Sequence, residues 1–249
     1  MSTPLPALRR ARLLEILERD GSIRLEPAAA ELDVSVMTVR RDIQDLDAEG
    51  LLQRVRGGAV APARPLAFGE RAANRGTAKA SIARKAAALI PAVGAIAGDA
   101  SSTVAALLQI ATATDLIVLT NSIDTASAAR RRPGLRALLT GGELEERTGS
   151  LVGPIAELAA RSMSFDRFFT SASAVDPESG TSEVTLEEAS VKAAFAERSA
   201  EVVLLVDSSK LGGRAVARAL DWGTIDLLVT ELDPADGRLD EYRDLVELR

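Results

Sequence analysis

The hydrophobic pattern changes its period along the chain. In residues 8–19, Ala11, Leu14 and Leu17 recur at helical spacing, and Asp20-Gly21 stops the run. A short second helix is predicted over residues 26–32, with Pro27 in its first turn. Ser35 then reads as the N-cap of a third helix. At ~100° per residue, Val36, Val39, Ile43 and Leu46 share one face of that helix. Met37, Arg41, Gln44 and Asp45 lie opposite, with Thr38 and Arg40 on the flanks. Beyond Gly50, residues 51–60 read as two short strands around Arg56-Gly57-Gly58, a hairpin.

From about residue 78 the texture is different. Apolar and β-branched runs at 95–99, 116–120, 135–140, 168–172, 202–207 and 227–230 read as strands. Ala-rich stretches at 78–90, 102–110, 122–131, 154–163 and 186–199 read as helices. Such alternation with short connections predicts a parallel sheet covered by helices on both faces. The run Val202–Val206 has no polar alternation, as expected of a strand buried on both sides. Gly and Pro punctuate residues 57–69, which marks a turn and then a linker. The expected domains are 1–60 and 76–249, joined by a linker over 61–75.

Composition removes several chemistries. The 249 residues include no His and no Cys. Ser-His-Asp and Cys-His catalysis, zinc fingers and disulfide frameworks are therefore excluded. No catalytic residue, metal site or cofactor is expected. The charged N-terminus lacks the apolar core of a signal peptide. The longest apolar stretch, 86–97, is broken by Pro91 and Gly94 and is too short to span a bilayer. A soluble cytoplasmic protein with no membrane partner is the expectation.

The net charge of -6 bears on nucleic acid. Residues 1–60 hold nine Arg against ten acids, but phosphate binding depends on local clusters. Arg residues gather at 9, 10 and 12, at 40 and 41, and at 54 and 56. Asp42 and Asp45 are expected to pair with Arg on their own helix. Helix, short helix, Ser-capped helix and Arg-bearing hairpin is the order of a winged helix-turn-helix. In that arrangement Ser35, Met37, Thr38, Arg40, Arg41 and Gln44 would face double-stranded DNA, and Arg54, Arg56 and Gly57 would form the tip of the wing. A solvated amphipathic helix is the plain alternative for residues 36–48.

The expected strands end on small, hydroxylic or charged residues. These are Asp99, Ser101, Ser102 and Thr103; Thr120, Asn121 and Ser122; Gly141 and Gly142; Thr170 and Ser171; and Asp207 through Lys210. In a doubly wound sheet such loops meet in a ligand crevice. Ser101–Thr103 and Asn121-Ser122 open helices whose N–H groups suit an anion. Lys192 and Lys210, two of only four lysines, are candidates to supply positive charge. Taken singly, each loop is equally an ordinary helix cap.

The stretch from Ser35 to Val60 resembles the N-terminal motif of DeoR-type bacterial transcription regulators. The matching residues are Ser35, Thr38, Arg40, Arg41, Asp42, Leu46, Gly50, Leu51, Gly57, Gly58 and Ala59. The family often has His where Arg56 stands, so any pH response of the wing should be absent. The resemblance continues through Glu70-Arg71, Lys79, Ile82-Ala83, the Asp99–Thr103 loop, Thr120–Ser122, Gly141-Gly142, Ser150, Gly153, Asp166, Ala189, Lys192, Asp207, Ser209 and Lys210. It implies an α/β protein: a winged helix-turn-helix, then a Rossmann-like, mostly parallel-sheet effector domain akin to sugar-phosphate isomerases. It also implies a repressor of a carbohydrate operon, released when a small phosphorylated sugar or related metabolite binds, and acting as a homodimer or homotetramer. Ser101, Ser171 and Ala174 replace glycines common in the family, which bears on how closely a ligand approaches the backbone. Two other readings stand beside this one. One is a sugar-phosphate isomerase or deaminase using Asp99, Glu143, Glu183 or Asp207; the other is an architectural DNA binder with a ligand-free core.

Overall fold

The computed structural model describes residues 6–48, 51–55, 57–60, 68–145 and 148–249. The chain divides into two compact units, 1–64 and 65–249. Gly50 and Arg56 lie outside the described residues.

The first unit contains α1 (Pro6–Asp20), β1 (Ser22–Arg24), α2 (Leu25–Glu31), α3 (Val36–Ala48), β2 (Gln53–Val55) and β3 (Gly58–Val60). The strands form an antiparallel sheet in the order β1-β3-β2. Gly21, at φ +71°, ends α1 as its N–H donates to the Leu17 carbonyl at 2.9 Å. The buried face of α1 is formed by Leu13, Ile16 and Leu17, while Leu14 is half-buried and Ala11 exposed. This rotates the helix away from the face expected from Ala11 and Leu14, because the larger Leu13–Leu17 pair and Ile16 claim the core. On α3, Val39, Ile43 and Leu46 are buried as expected, and Ile23, Leu25, Leu32 and Leu52 complete the cluster.

The wing hairpin needs both of its glycines. Gly57 turns the chain at φ +91°. Gly58 passes so close to β1 that a Cβ there would lie 1.7 Å from the Ile23 carbonyl oxygen.

The second unit begins with α4 (Phe68–Ala73) and α5 (Gly76–Ala86). The stretch expected as linker thus includes a short helix. There follow β4 (Val93–Gly98), α6 (Ser102–Ile110), β5 (Asp115–Thr120), α7 (Ile123–Arg130), β6 (Leu135–Leu139), β7 (Glu143–Glu145), β8 (Ser150–Val152) and α8 (Pro154–Arg161). Then come β9 (Arg167–Thr170), β10 (Ala174–Asp176), β11 (Gly180–Glu183), α9 (Leu186–Ala196), β12 (Val202–Leu205), β13 (Ala217–Arg218), β14 (Leu227–Val229) and β15 (Glu247–Leu248).

The main sheet is parallel throughout, in the order β15-β14-β12-β9-β4-β5-β6. Alternate residues feed two separate cores. Phe168, Val202 and Leu204 join Phe165 and Phe195 on one side; Phe169, Val203 and Leu205 join Ile82, Leu107 and Leu108 on the other. All six expected strands are present. The seventh, β15, pairs with only two residues of β14. The β7–β8 hairpin and the antiparallel sheet β10-β11-β13 are further additions. Chain order reverses at β4, which has β5 on one side and β9 on the other. Such a reversal opens a crevice at the carboxyl ends of the strands.

Candidate functional site

In the first unit, the third helix is capped as its sequence indicates. The Thr38 N–H donates to Ser35 Oγ at 3.1 Å, and the two hydroxyls lie 2.9 Å apart. Met37, Arg40, Arg41 and Gln44 are exposed and Thr38 is half-buried. Arg54 and Gly57 are exposed on the hairpin, where the Arg54 N–H donates to Asp47 Oδ1 at 3.2 Å.

Asp42 and Asp45 do not serve the arginines of their own helix. Asp42 is buried and receives a two-pronged bond from Arg9, at 2.5 and 2.9 Å. Asp45 lies 3.3 Å from Arg10. Arg12 meets Glu15 and Glu31, and Arg19 meets Asp20 and Glu31. The cluster at 9, 10 and 12 is therefore engaged with carboxylates inside its own unit. Arg40 and Arg41 have no carboxylate partner among the described residues.

In the second unit, the Asp99 carboxylate at the end of β4 is the centre of a buried hydrogen-bonded cluster. Oδ1 accepts from the Ser101 N–H at 3.0 Å. Oδ2 accepts from Thr170 Oγ1 at 2.8 Å, from the Ser171 N–H at 2.9 Å and from Lys192 Nζ. Lys192 is buried and also contacts Glu183 at 3.1 Å, Thr170 Oγ1 at 3.2 Å and the Ser171 carbonyl at 2.8 Å. Burial alone would lower its pKa, but Asp99 and Glu183 more than offset this and raise it. An ammonium has three protons. Those of Lys192 are directed at Asp99, Glu183, Thr170 and the Ser171 carbonyl, so it ties α9 to the ends of β4 and β9.

The helix-opening hydroxyls act as caps. Ser101 Oγ accepts from the N–H groups of Thr103 and Val104, at 3.0 and 3.3 Å. Ser122 Oγ accepts from the Thr125 N–H at 3.2 Å, and Thr120 Oγ1 from the Ser122 N–H at 3.1 Å. Thr125 Oγ1 donates to the Asp99 carbonyl at 3.1 Å, which joins the β4 and β5 ends. Ser102 and Thr103 are buried beside them. Asn121 Nδ2 donates to the Leu151 carbonyl at 3.1 Å, and its buried Oδ1 has no partner among the described residues. Gly141 and Gly142 both adopt positive φ and pack against α8 and β8. Asp207 caps its own turn by accepting from the Ser209 N–H at 3.1 Å, and Lys210 is half-exposed beyond it.

Four further groups complete the site. Arg71, on α4, donates to the carbonyls of Ala100 and Thr148, each at 2.7 Å. Arg75 approaches Asp207 at 3.6 Å. Lys79 is buried and donates to the Arg71 and Asn74 carbonyls. Glu188 receives the Ser150 hydroxyl at 3.1 Å, and burial together with nearby Glu183 raises its pKa. These side chains link the β4 end with the β12 end. Arg71 and Lys79 are in the family motif, but no spacing argument places them here. Among the described residues, no group of acidic side chains is placed to hold a metal ion.

Two family models match: the DeoR-like helix-turn-helix domain over residues 9–64 and the DeoR C-terminal sensor domain over residues 74–232. The chain belongs to the DeoR family of transcriptional regulators. Among its relatives in that family is the regulator GlpR of Haloferax volcanii, 32% identical over 95% of this chain and 92% of that protein. YulB of Bacillus subtilis is 31% identical over 93% of this chain and 92% of its own length. The glycerol-3-phosphate regulon repressor of Escherichia coli is 28% identical over 89% of each chain. The family fits a DNA-binding regulator with a sensor domain. No helix among the described residues is long and apolar enough to cross a membrane.

Proposed function

We propose that the chain is a cytoplasmic repressor of a carbohydrate-metabolism operon. It leaves its operator when a sugar phosphate or related metabolite enters the crevice at the ends of β4, β5 and β9. The observation that carries this reading is the outer face of α3, where Arg40, Arg41 and Gln44 are exposed beside Thr38 and, among the described residues, no carboxylate pairs with the two arginines. An Arg fork suits a guanine edge, and the Ser35-capped helix start suits a phosphate. A homodimer or homotetramer would present paired helices to half-sites one helical turn apart. The ligand acts by binding one arrangement of the protein better than the other. In this reading the crevice binds its ligand without turnover, with Lys192 holding Asp99 and Glu183 in a buried ion cluster.

Arg41→Ala is expected to weaken specific operator binding by about 1–3 kcal/mol. Fluorescence anisotropy at one salt concentration, with operator and scrambled duplexes, measures it. Equal loss on both duplexes would assign Arg41 to phosphate contact alone; no loss on either would remove α3 from the interface.

A further inference from the structure

Four of the described side chains of α3 are exposed: Met37, Arg40, Arg41 and Gln44. Three of them carry hydrogen-bond donors that suit a phosphate or a base edge. Met37 has no donor and only a weak acceptor in its sulfur, yet it is 66% exposed. Its neighbours in the first turn are otherwise occupied. Val39 is fully buried, and Val36 packs against the core of the unit. Thr38 is half-buried, and its hydroxyl lies 2.9 Å from Ser35 Oγ within the helix cap. Met37 is thus the side chain that the first turn of α3 offers to solvent.

The surroundings of Met37 are polar. Arg41, four residues on, stands one turn further along the same face, and Gln44 follows at seven residues. Arg40 Nη1 lies 4.0 Å from Met37 Sδ. The thioether therefore stands in a row of hydrogen-bonding side chains.

In the reading above, the N-terminal half of α3 enters the major groove. The base edges there present donors and acceptors, together with one apolar group, the C5 methyl of thymine. Phosphate oxygens are contacted through hydrogen-bond donors, which Met37 lacks. A flexible apolar side chain at the first turn has the thymine methyl as its complement. The rise from Met37 to Arg41 is ~6 Å, or about two base-pair steps of ~3.4 Å.

We propose that Met37 reads sequence: it packs on the C5 methyl of a thymine in each operator half-site, about two base-pair steps from the guanine taken by Arg41. This rests on the regulator reading above and adds a base that charge does not recognise. Because Met37 carries no charge, it contributes to specificity and leaves the salt-dependent part of binding alone.

The test uses the full chain. Its preferred duplex is first enriched from a randomised pool, and affinities are then measured by fluorescence anisotropy at one salt concentration. Each thymine of a half-site is replaced in turn by deoxyuridine, which removes the methyl and keeps the hydrogen-bonding edge. The wild type is expected to lose about fourfold at one thymine in each half-site. Met37→Ala, shown by circular dichroism to be folded, should bind the thymine duplex about fourfold more weakly and lose nothing further with uracil at that position. A residue that served only the fold would weaken both duplexes and leave their ratio unchanged. The slope of affinity against salt should be the same in both proteins. Three results overturn the assignment of Met37: wild-type affinity that no uracil alters, a uracil loss that Met37→Ala retains in full, or a shallower salt slope in Met37→Ala. A pool that enriches no sequence takes down the regulator reading, and Met37 with it. An enriched duplex that fails one of the three comparisons takes down Met37 alone.

Discussion

The sharpest energetic consequence of the first unit lies beneath α3. The Arg9 guanidinium and the Asp42 carboxylate meet fork to fork, at 2.5 and 2.9 Å, with the residues 7% and 2% exposed. Asp42→Ala leaves the Arg9 charge buried without the carboxylate shaped to it. Breaking a buried pair from one side costs about 3–5 kcal/mol. A unit of this size is held by roughly 3–10 kcal/mol in total, so the loss consumes much of it. The assay follows from composition: residues 1–64 contain no Trp, Tyr or Phe, and the single tryptophan, Trp222, lies in the second unit. In a urea titration, far-UV circular dichroism reports both units and tryptophan fluorescence only the second. Asp42→Ala should produce an early loss of helix while the fluorescence transition stays in place. Arg9→Met with Asp42→Leu, which replaces the pair by apolar groups, should recover most of the loss. A change below about 1 kcal/mol for Asp42→Ala, the range of an exposed pair, would refute the reasoning.

Two further outcomes can be read with the same signals. Gly58→Ala places a methyl 1.7 Å from the Ile23 carbonyl oxygen, and should cost the first unit about 1–3 kcal/mol or more as β1 and β3 are forced apart. An unshifted dichroism transition would contradict that close approach. Burial holds the Lys79 ammonium down to about 8, against the pull of Asp207 and helped by Lys210, Arg71 and Arg75. An unfolded lysine titrates near ~10.4, so between about pH 8 and 10 the unfolded chain binds more protons and stability from this position rises with pH. Below about pH 8 both states are charged and the burial penalty stands in full. The Trp222 unfolding midpoint of the wild type relative to Lys79→Met should therefore climb across that window, and a flat difference would show that Lys79 is not held in this way.

The parts of the fold that were legible in the sequence are those in which burial dictates composition. A strand covered on both faces must be apolar throughout, so β4, β5, β9, β12 and β14 are visible as runs. The antiparallel addition is not. Strand β11, Gly180–Glu183, is buried at all four positions, yet it consists of Gly, Thr, Ser and Glu. Its polar atoms are satisfied by partners distant in sequence: Thr181 by Leu220, Ser182 by the Ala215 N–H, and Glu183 by Ser173 and Lys192. No periodicity encodes that. The two-residue strand β15 is equally silent, since its place is set by pairing with β14. For α1, two helical faces carry apolar residues, and only the packed structure decides that Leu13, Ile16 and Leu17 are the ones buried.

The charged residues show why the candidate sites were only partly legible. Sequence distance suggests partners on the same helix or in the same loop, but the fold chooses partners by burial. Asp42 stands beside Arg41 in sequence and is claimed by Arg9, because both point into the seam between α1 and α3 where an unpaired charge is costly. Lys192 is rare in this chain and lies near the crevice. It pairs with Asp99 and Glu183 for the same reason. The inference runs in reverse for the residues left over. Arg40 and Arg41 are exposed and without carboxylate partners among the described residues, so nothing within their unit repays the entropy of ordering them. Asn121 Oδ1 is buried and unpartnered among the described residues, a state that costs free energy until something donates to it. An exposed unpaired cation on a capped helix and a buried unpaired acceptor at a strand end are two kinds of incompleteness. The first is suited to a polyanion that arrives from solvent, the second to a group that donates a hydrogen bond.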